Sequence, residues 1–276
     1  MVTIQKHVLY KYRSFDRKGH GLNMLKKAEI WLPSARSFND PFDSAFTYDL
    51  DGLDGPIAEK WIRSALNRHV PHLSPAGKEK WATLRLAEMR ADKAKVEKQR
   101  QDEIEMSYKK FGICSLSASN DNLLMWAHYA GEHTGFVVGL SVPTLYDYMY
   151  ELSATKKEFL HLIAVNYTTE FPRANFFEAM LGINDPDYTT VFFATKSVHW
   201  KYEEEHRLVY WEGSNTKLTI GHDAFVEIVL GYRISPKNKK RILRICEKHI
   251  PSARIFEAKK HDRNFALELI PLTGGT

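Results

Sequence analysis

Short apolar runs rich in β-branched and aromatic residues recur along this chain from residue 111 onwards, and several of them follow one another closely. Examples are FGICSLS, which begins at Phe111, GFVVGLS, which begins at Gly135, and AFVEIVLGYRIS, which begins at Ala224. Runs of this kind, bounded by turn-forming residues, are typical of β-strands. Because the strands come in neighbouring pairs and do not alternate strictly with helices, the pattern favours an α+β fold with a mixed or antiparallel central sheet and flanking helices.

Residues 56–110 show a different pattern, and we predict that they form a long helical insertion in a single domain spanning residues 1–276. Trp61, Ala65 and Leu66 make one apolar stripe at helical spacing. The stretch that follows, ADKAKVEKQRQDEIEMSYKK, is charged nearly all round. This composition predicts a long helix that is exposed to solvent or rests on the body along a narrow seam.

The composition excludes several classes of protein. Hydrophobic residues make up 43% and charged residues 26%, which argues against a disordered chain. There are two cysteines, Cys114 and Cys246, too few for a disulfide framework or a multi-cysteine zinc site, so we expect free thiols and a cytoplasmic location. No run approaches the ~18 apolar residues of a membrane span and no export signal is evident, so no membrane partner is expected. The net charge of +5 permits a polyanionic partner without establishing one.

Motifs of several common enzyme classes are missing from the sequence. There is no GxGxxG, GxxxxGK[ST], GxSxG or HExxH, which disfavours dinucleotide-binding domains of the Rossmann type, P-loop NTPases, α/β-hydrolases and zinc proteases. The 12 histidines are scattered, and His128 and His133 lie five residues apart, the wrong spacing for two ligands on one helical face. No metal site is predicted.

The segment Trp200–Arg207, WKYEEEHR, is the leading candidate for a chemical site. Read as a strand, it places Glu203, Glu205 and Arg207 on one face and Glu204 on the other, because side chains alternate along a strand. Such a face can bind ribose hydroxyls, act as a general base or stabilise a cationic transition state. A solvated edge strand with a Glu–Arg pair explains the same residues equally well, and this alternative stays open.

Two further segments carry candidate residues. Trp126 and Tyr129 share one helical face, where their rings either floor a planar ligand or pack into the core. Asn39 and Asp40 precede a proline in a rigid turn, which is either a plain loop or a loop beside a cleft. We assign Asn39 and Asp40 to a substrate loop, together with His128, which lies off the aromatic stripe.

Taken together, these segments resemble the bacterial family described as domain of unknown function 2971. The resemblance covers most of the chain outside the helical insertion and implies no particular reaction. It rests on motifs in the same order, namely LYKYRS at 9–14, SFNDPFD at 37–43, CSLSASNDNLLMWAHYAGEHTGF at 114–136, Lys196 with WKYEEEHR at 200–207, and VLGYRIS at 229–235.

The layout is also similar, more remotely, to the ADP-ribosyltransferase superfamily, in which an early, a middle and a late strand together bind NAD. The resemblance implies that Glu203 and Glu205 on the late strand are catalytic. It implies an NAD-binding role for residues on the strands and on the helix that follows the middle strand, namely Tyr10, Tyr12, Arg13, Ser115, Ser117, Trp126, Tyr129 and Arg207.

On this resemblance we expect an NAD-dependent ADP-ribosyltransferase-like enzyme that acts as a bacterial toxin or phage-defence effector. Its acceptor would be a nucleic acid or a protein, and a cognate inhibitor or partner protein is a further expectation. Two alternatives stay open: a metal-dependent nuclease that uses the same carboxylates, and a non-enzymatic sensor or partner-binding module of a defence system. Convergence of the candidate residues on one cleft would favour the ADP-ribosyltransferase-like enzyme over both alternatives.

Overall fold

The computed structural model of the chain describes residues 6–16, 19–157, 160–183, 193–211 and 213–272. The strands are β1 (Val8–Arg13), β2 (Glu29–Leu32), β3 (Thr47–Asp49), β4 (Gly112–Ser117), β5 (Phe136–Ser141), β6 (Leu160–Ala164), β7 (Asn166–Thr168), β8 (Arg173–Asn175), β9 (Thr195–Ser197), β10 (Glu205–Tyr210), β11 (Thr216–Thr219), β12 (Phe225–Leu230), β13 (Arg254–Lys260) and β14 (Leu267–Pro271). The α-helices are α1 (His20–Lys27), α2 (Pro56–His69), α3 (Pro75–Ala91), α4 (Lys93–Tyr108), α5 (Leu123–Tyr129), α6 (Val142–Lys156), α7 (Phe176–Leu181) and α8 (Pro236–His249). Short 3₁₀ turns occupy Ala35–Ser37, Val198–Glu203 and His222–Ala224. Over these described ranges, no helix is long and apolar enough to cross a lipid bilayer.

An eight-stranded sheet forms the centre of the fold, in the order β14-β13-β12-β5-β1-β4-β10-β6. Neighbouring strands are antiparallel except for β12 and β13, which are parallel. This arrangement confirms the predicted α+β class with a mixed, mostly antiparallel sheet.

One face of the sheet carries the largest apolar core. Alternate residues along the central strands, among them Leu9, Leu116 and Leu208, are at most 2% exposed and pack under α1, α6 and α8. Helix α8 buries Ile242 and Ile245 there while its lysines and arginines face outward, as an amphipathic helix should. This face is therefore closed.

The opposite face of the sheet carries two smaller apolar clusters, one at each end. At one end, Ile113 of β4 and Val209 of β10 pack against Ile104 and Tyr108 of α4. At the other end, α5 and the β-strands around Tyr12 bury a separate apolar cluster. The strand residues between the two ends are polar; Ser117, Glu205 and Arg207 among them are at most 3% exposed, and this polar strip positions the site described below.

The predicted helical insertion is present as α2, α3 and α4. Helices α2 and α3 pack together with Phe176 and Phe177 of α7. Helix α4 has the predicted narrow seam, because Val96, Ile104 and Tyr108 are buried along it.

One local expectation was wrong. The segment Trp200–Arg207 is not one strand, because a 3₁₀ turn runs to Glu203, Glu204 adopts a left-handed conformation (φ 44°), and β10 begins at Glu205. The sequence also predicts that residues 172–196 are mostly helical. Their described part contains the short helix α7, which Gly182 (φ 64°) ends, and residues 184–192 lie outside the described residues.

Candidate functional site

Three neighbouring strands place Tyr10, Ser117 and Glu205 in one row across the sheet. Tyr10 of β1 is opposite Ser117 of β4, and Ser117 is opposite Glu205 of β10. Ser115 and Arg207 are opposite each other one step further along the same face. The early, middle and late strands singled out in the sequence are therefore adjacent in the sheet, with their polar residues in register.

A cleft opens beside this row because β1 and β4 diverge. The two strands pair at a single position, Tyr10 opposite Ser117. Beyond it, Lys11 Nζ reaches across the gap and donates a hydrogen bond to the carbonyl oxygen of Ser115 at 2.7 Å. The cleft has a volume of about 450 Å³.

Most of the residues predicted from the sequence line this cleft. They come from β1, the loop after β2, β4, α5, the 3₁₀ turn before β10 and β10 itself, and are Tyr10, Tyr12, Asn39, Ser115, Ser117, His128, Tyr129, Glu203 and Glu205. The remaining four predicted residues, Arg13, Asp40, Trp126 and Arg207, do not line it.

Trp126 is part of the core and has no face left for a ligand. It is fully buried, its ring packs edge-on against Tyr12 with centroids 5.6 Å apart, and its Nε1 donates to the carbonyl oxygen of Asn120 at 2.9 Å. The expected stacking role is therefore corrected: Trp126 supports Tyr12 from behind and anchors α5.

Arg13 and Asp40 also lie away from the cleft. Arg13 alternates with Tyr12 along β1, so its side chain leaves the sheet on the other face. Asp40 is buried, and its Oδ1 accepts a hydrogen bond from the backbone N–H of Phe42 at 2.9 Å, which fixes the turn.

A buried cluster of five charged side chains lies beneath the cleft. The ammonium of Lys196 sits where three carboxylates meet, 3.2 Å from Asp43 Oδ2, 2.6 Å from Glu203 Oε2 and 3.0 Å from Glu205 Oε2. None of these four side chains is more than 5% exposed. The fifth member is Arg207.

Arg207 has a partner at each of its three nitrogens. Its Nε donates to Glu205 Oε1 at 2.9 Å, and its Nη2 donates to Glu205 Oε2 at 3.0 Å and to Asp43 Oδ1 at 2.6 Å. Its Nη1 donates to Ser44 Oγ at 2.8 Å and to the carbonyl oxygen of Phe193 at 2.7 Å. A guanidinium with no exposed surface is tolerated only with such complete hydrogen bonding. Arg207 thus holds Glu205 from below and does not face a ligand.

The cluster carries one net negative charge, since three carboxylates face two cations. Burial alone would raise the pKa of Glu205, but the charges of Arg207 and Lys196 outweigh it and hold that pKa at about 2. Burial opposes protonation of Lys196, yet Glu205, Asp43 and Glu203 together raise its pKa above the ordinary value. Glu205, Lys196 and Arg207 are therefore charged at neutral pH.

Glu203 is the cluster carboxylate with the most unused acceptor capacity. Tyr129 donates its hydroxyl proton to Glu203 Oε1 at 2.6 Å, and Lys196 binds Oε2. A carboxylate oxygen can accept two hydrogen bonds, so each oxygen of Glu203 retains one lone pair. Glu205, by contrast, is bound by Arg207 through both oxygens. Glu203 is thus the better placed of the two to accept a hydroxyl of a ligand.

Sequence reasoning missed the roles of three residues in this region. Lys196 and Asp43 stand in the quoted motifs without an assigned role. Lys11 gave no signal, because a lysine on a strand usually faces solvent. The contacts of Lys11 with Ser115 and of Asp43 with Lys196 and Arg207 cross long stretches of sequence, which no local pattern reveals.

No cluster of three or more His, Cys, Asp or Glu side chains suited to a metal ion occurs in the described part of the chain. The three carboxylates that do converge are bridged by the ammonium of Lys196.

The fold and the site define an α+β protein whose central strands part over a buried ionic cluster. Residues 125–208 match the model of the family described as Protein of unknown function (DUF2971). This match supports, over that part of the chain, the family resemblance predicted from the motif order. Neither the curated proteins nor the solved structures gave a match. The similarity to ADP-ribosyltransferases stays a prediction.

The matched segment coincides with much of the site. It runs from Met125 in α5 to Leu208 in β10 and therefore contains Tyr129, Lys196 and Glu203. Six of the 17 residues that line the cleft and four of the five residues of the buried cluster thus belong to the part of the chain that the family model describes.

Proposed function

We propose that this protein is an NAD-dependent ADP-ribosyltransferase-like enzyme that acts as a toxin or phage-defence effector on a nucleic acid or protein acceptor. One observation carries the proposal. Tyr10, Ser117 and Glu205 come from strands far apart in sequence, yet they lie in one row beside a cleft over a buried ionic cluster.

The size and charge of the cleft support a dinucleotide substrate. Its volume of about 450 Å³ falls within the range of small-molecule sites. Burial lowers the pKa of Lys11, whose Nζ contacts the carbonyl oxygen of Ser115. The charges of Glu205 and Glu203 offset part of this effect, and an anionic group such as the pyrophosphate of NAD, bound beside Lys11, would further favour its charged form.

The charge of the cluster suits the bond that must break. Cleavage of the bond between nicotinamide and C1′ of the ribose leaves the electron pair on nicotinamide and positive charge on the ribose ring. A fixed net negative charge stabilises that state more than the ground state. In this proposal Glu203 faces the ribose, and Glu205, clamped by Arg207, holds the cluster in place. The acceptor then bonds to C1′ through its lone pair and releases its proton to solvent.

The two alternatives fit the geometry less well. A metal-dependent nuclease would need the converging carboxylates to hold a cation, but Lys196 already lies between them. A purely binding module with a solvated Glu–Arg strand would leave these residues exposed, whereas Glu205 and Arg207 are at most 3% exposed.

Transfer of label from NAD to cell extract tests the proposal. NAD labelled in its adenylate phosphate is incubated with the protein, and acid-insoluble label is counted before and after nuclease or protease treatment. We expect Glu203→Gln to abolish transfer. The neighbouring Glu204→Gln is a matched control, because Glu204 is exposed, and this variant should keep wild-type transfer. Equally little label with wild type and Glu203→Gln would rule the function out.

A further inference from the structure

A second cavity, with a volume of about 940 Å³, lies between the loop that follows β12 and the hairpin that joins β13 to β14. We call it the hairpin groove. Its lining is rich in cationic and aromatic side chains, namely His133, Tyr232, Arg233, Lys260, His261, Arg263 and Phe265.

The lysine and arginine side chains of the hairpin groove are not neutralised by the described part of the protein, whereas His261 lies 3.8 Å from Glu268 Oε1. In the part of the chain that the structure describes, Arg233, Lys260 and Arg263 form no ion pair, and Asp262 is the one acidic residue among those lining the groove. Lys260 Nζ lies 5.0 Å from the centre of the Tyr232 ring. Burial lowers the pKa of His133, and the nearby charges of Arg233 and Lys260 lower it further. The groove therefore favours a ligand with several negative charges.

The aromatic rings of the groove are exposed without a structural reason. Phe265, in the turn of the hairpin, is fully exposed, and Tyr232 is 43% exposed. A ring that is wholly in water contributes nothing to the core. Exposed rings interleaved with unpaired cations are the arrangement by which proteins bind single-stranded nucleic acid, with bases stacked on rings and phosphates held by lysine and arginine.

We propose that the hairpin groove binds single-stranded nucleic acid, with phosphates on Arg233, Lys260 and Arg263 and bases against Tyr232 and Phe265. Helix α5 links the groove to the cleft, because Leu123 lines the groove and Tyr129 lines the cleft. Six residues of helix separate them by about 9 Å, so a strand of a few nucleotides reaches from one to the other. The binding of a nucleic-acid strand in the groove is independent of the proposed function. Only the further step, that the bound strand is the acceptor for ADP-ribose, rests on it.

Fluorescence anisotropy with labelled 12-nucleotide RNA and DNA strands tests the binding. With three phosphate contacts, affinity should fall about 20-fold between about 50 and about 200 mM salt. The triple change Arg233→Ala, Lys260→Ala and Arg263→Ala should remove most of the binding and flatten the salt dependence. Phe265→Ala should weaken binding about tenfold without changing the salt dependence.

Charge-matched controls separate a local groove from diffuse attraction. The triple change Lys80→Ala, Lys93→Ala and Lys98→Ala removes three exposed cations from the helical insertion, and Trp81→Ala removes an exposed ring there. Neither should change affinity by more than about twofold. Equal losses in the control and groove variants would overturn the proposal. A second result would also overturn it: the protein binds phosphatidylserine vesicles but not oligonucleotides, and Phe265→Ala abolishes the vesicle binding. The groove would then be a lipid-binding surface. Oligonucleotide binding without label transfer from NAD would keep this inference and reject the enzymatic function.

Discussion

Replacement of Arg207 by methionine tests whether the buried ionic cluster stabilises the fold around the cleft. The change removes five hydrogen bonds of 2.6 to 3.0 Å from a side chain with no exposed surface. Asp43 and Glu205, both at most 3% exposed, are left to share Lys196 with Glu203. Removal of one partner from a buried charge pair costs about 3–5 kcal/mol.

That loss is large against the ~5–15 kcal/mol by which a protein domain is stable. Urea denaturation followed by circular dichroism measures it directly, and the melting temperature should fall by roughly 10 °C. Arg207→Lys should lie between wild type and Arg207→Met, because it keeps the charge but loses the bidentate geometry with Glu205.

Arg63→Met is the matched control for this prediction. Arg63 pairs with Glu79 on the surface of the helical insertion, where the two side chains are 51% and 54% exposed. Exposed pairs contribute at most about 1 kcal/mol. If Arg207→Met cost no more than Arg63→Met, the cluster would not be the stabilising element described here.

Three other changes probe the same region. The folded pKa of Glu205 is about 2, against an ordinary value of 4.5. The contribution of Glu205 to stability is therefore complete above about pH 4.5 and declines as the pH falls toward 2. Urea unfolding of wild type and Glu205→Gln across this range should show that the free energy of unfolding depends less steeply on pH in Glu205→Gln. Tyr129→Phe removes the hydroxyl that binds Glu203 Oε1 and should lower the free energy of unfolding by about 1 kcal/mol, while an unchanged value would mean that this 2.6 Å bond contributes nothing. Trp126→Ala should lower it by about 3–5 kcal/mol because the ring is fully buried, and a cost below about 1 kcal/mol would contradict its place in the core.

The fold class could be predicted because the strands of this chain show local patterns. In β4 and β5, the runs GICSLS and FVVGLS indicate strands by composition alone. The helical insertion could be predicted for the same reason, since helical spacing is visible within a few turns. Which strands are neighbours was not predictable, because pairing such as that of β1 with β5 depends on contacts far apart in sequence.

The candidate site was predictable only in part. Spacing marked Glu205 and Arg207 as residues on one strand face, and the structure places both in the same cluster. The spacing could not show that Glu203 joins that cluster from a 3₁₀ turn, because nothing in a run of three glutamates predicts the left-handed backbone at Glu204. Nor could it show that Trp126 is core, because a helical face looks the same toward a ligand and toward a sheet.

Release of nicotinamide from NAD tests the central claim most directly, because it does not depend on the identity of the acceptor. Purified protein is incubated with NAD and total cellular nucleic acid and protein, and nicotinamide is quantified by chromatography. We predict release by wild type and by Glu204→Gln, and a loss of at least about 100-fold in Glu203→Gln, since that carboxylate supplies charge stabilisation in the transition state. Release that is equal in wild type and Glu203→Gln, or absent from both, would contradict the assignment of this cleft as an NAD-cleaving site.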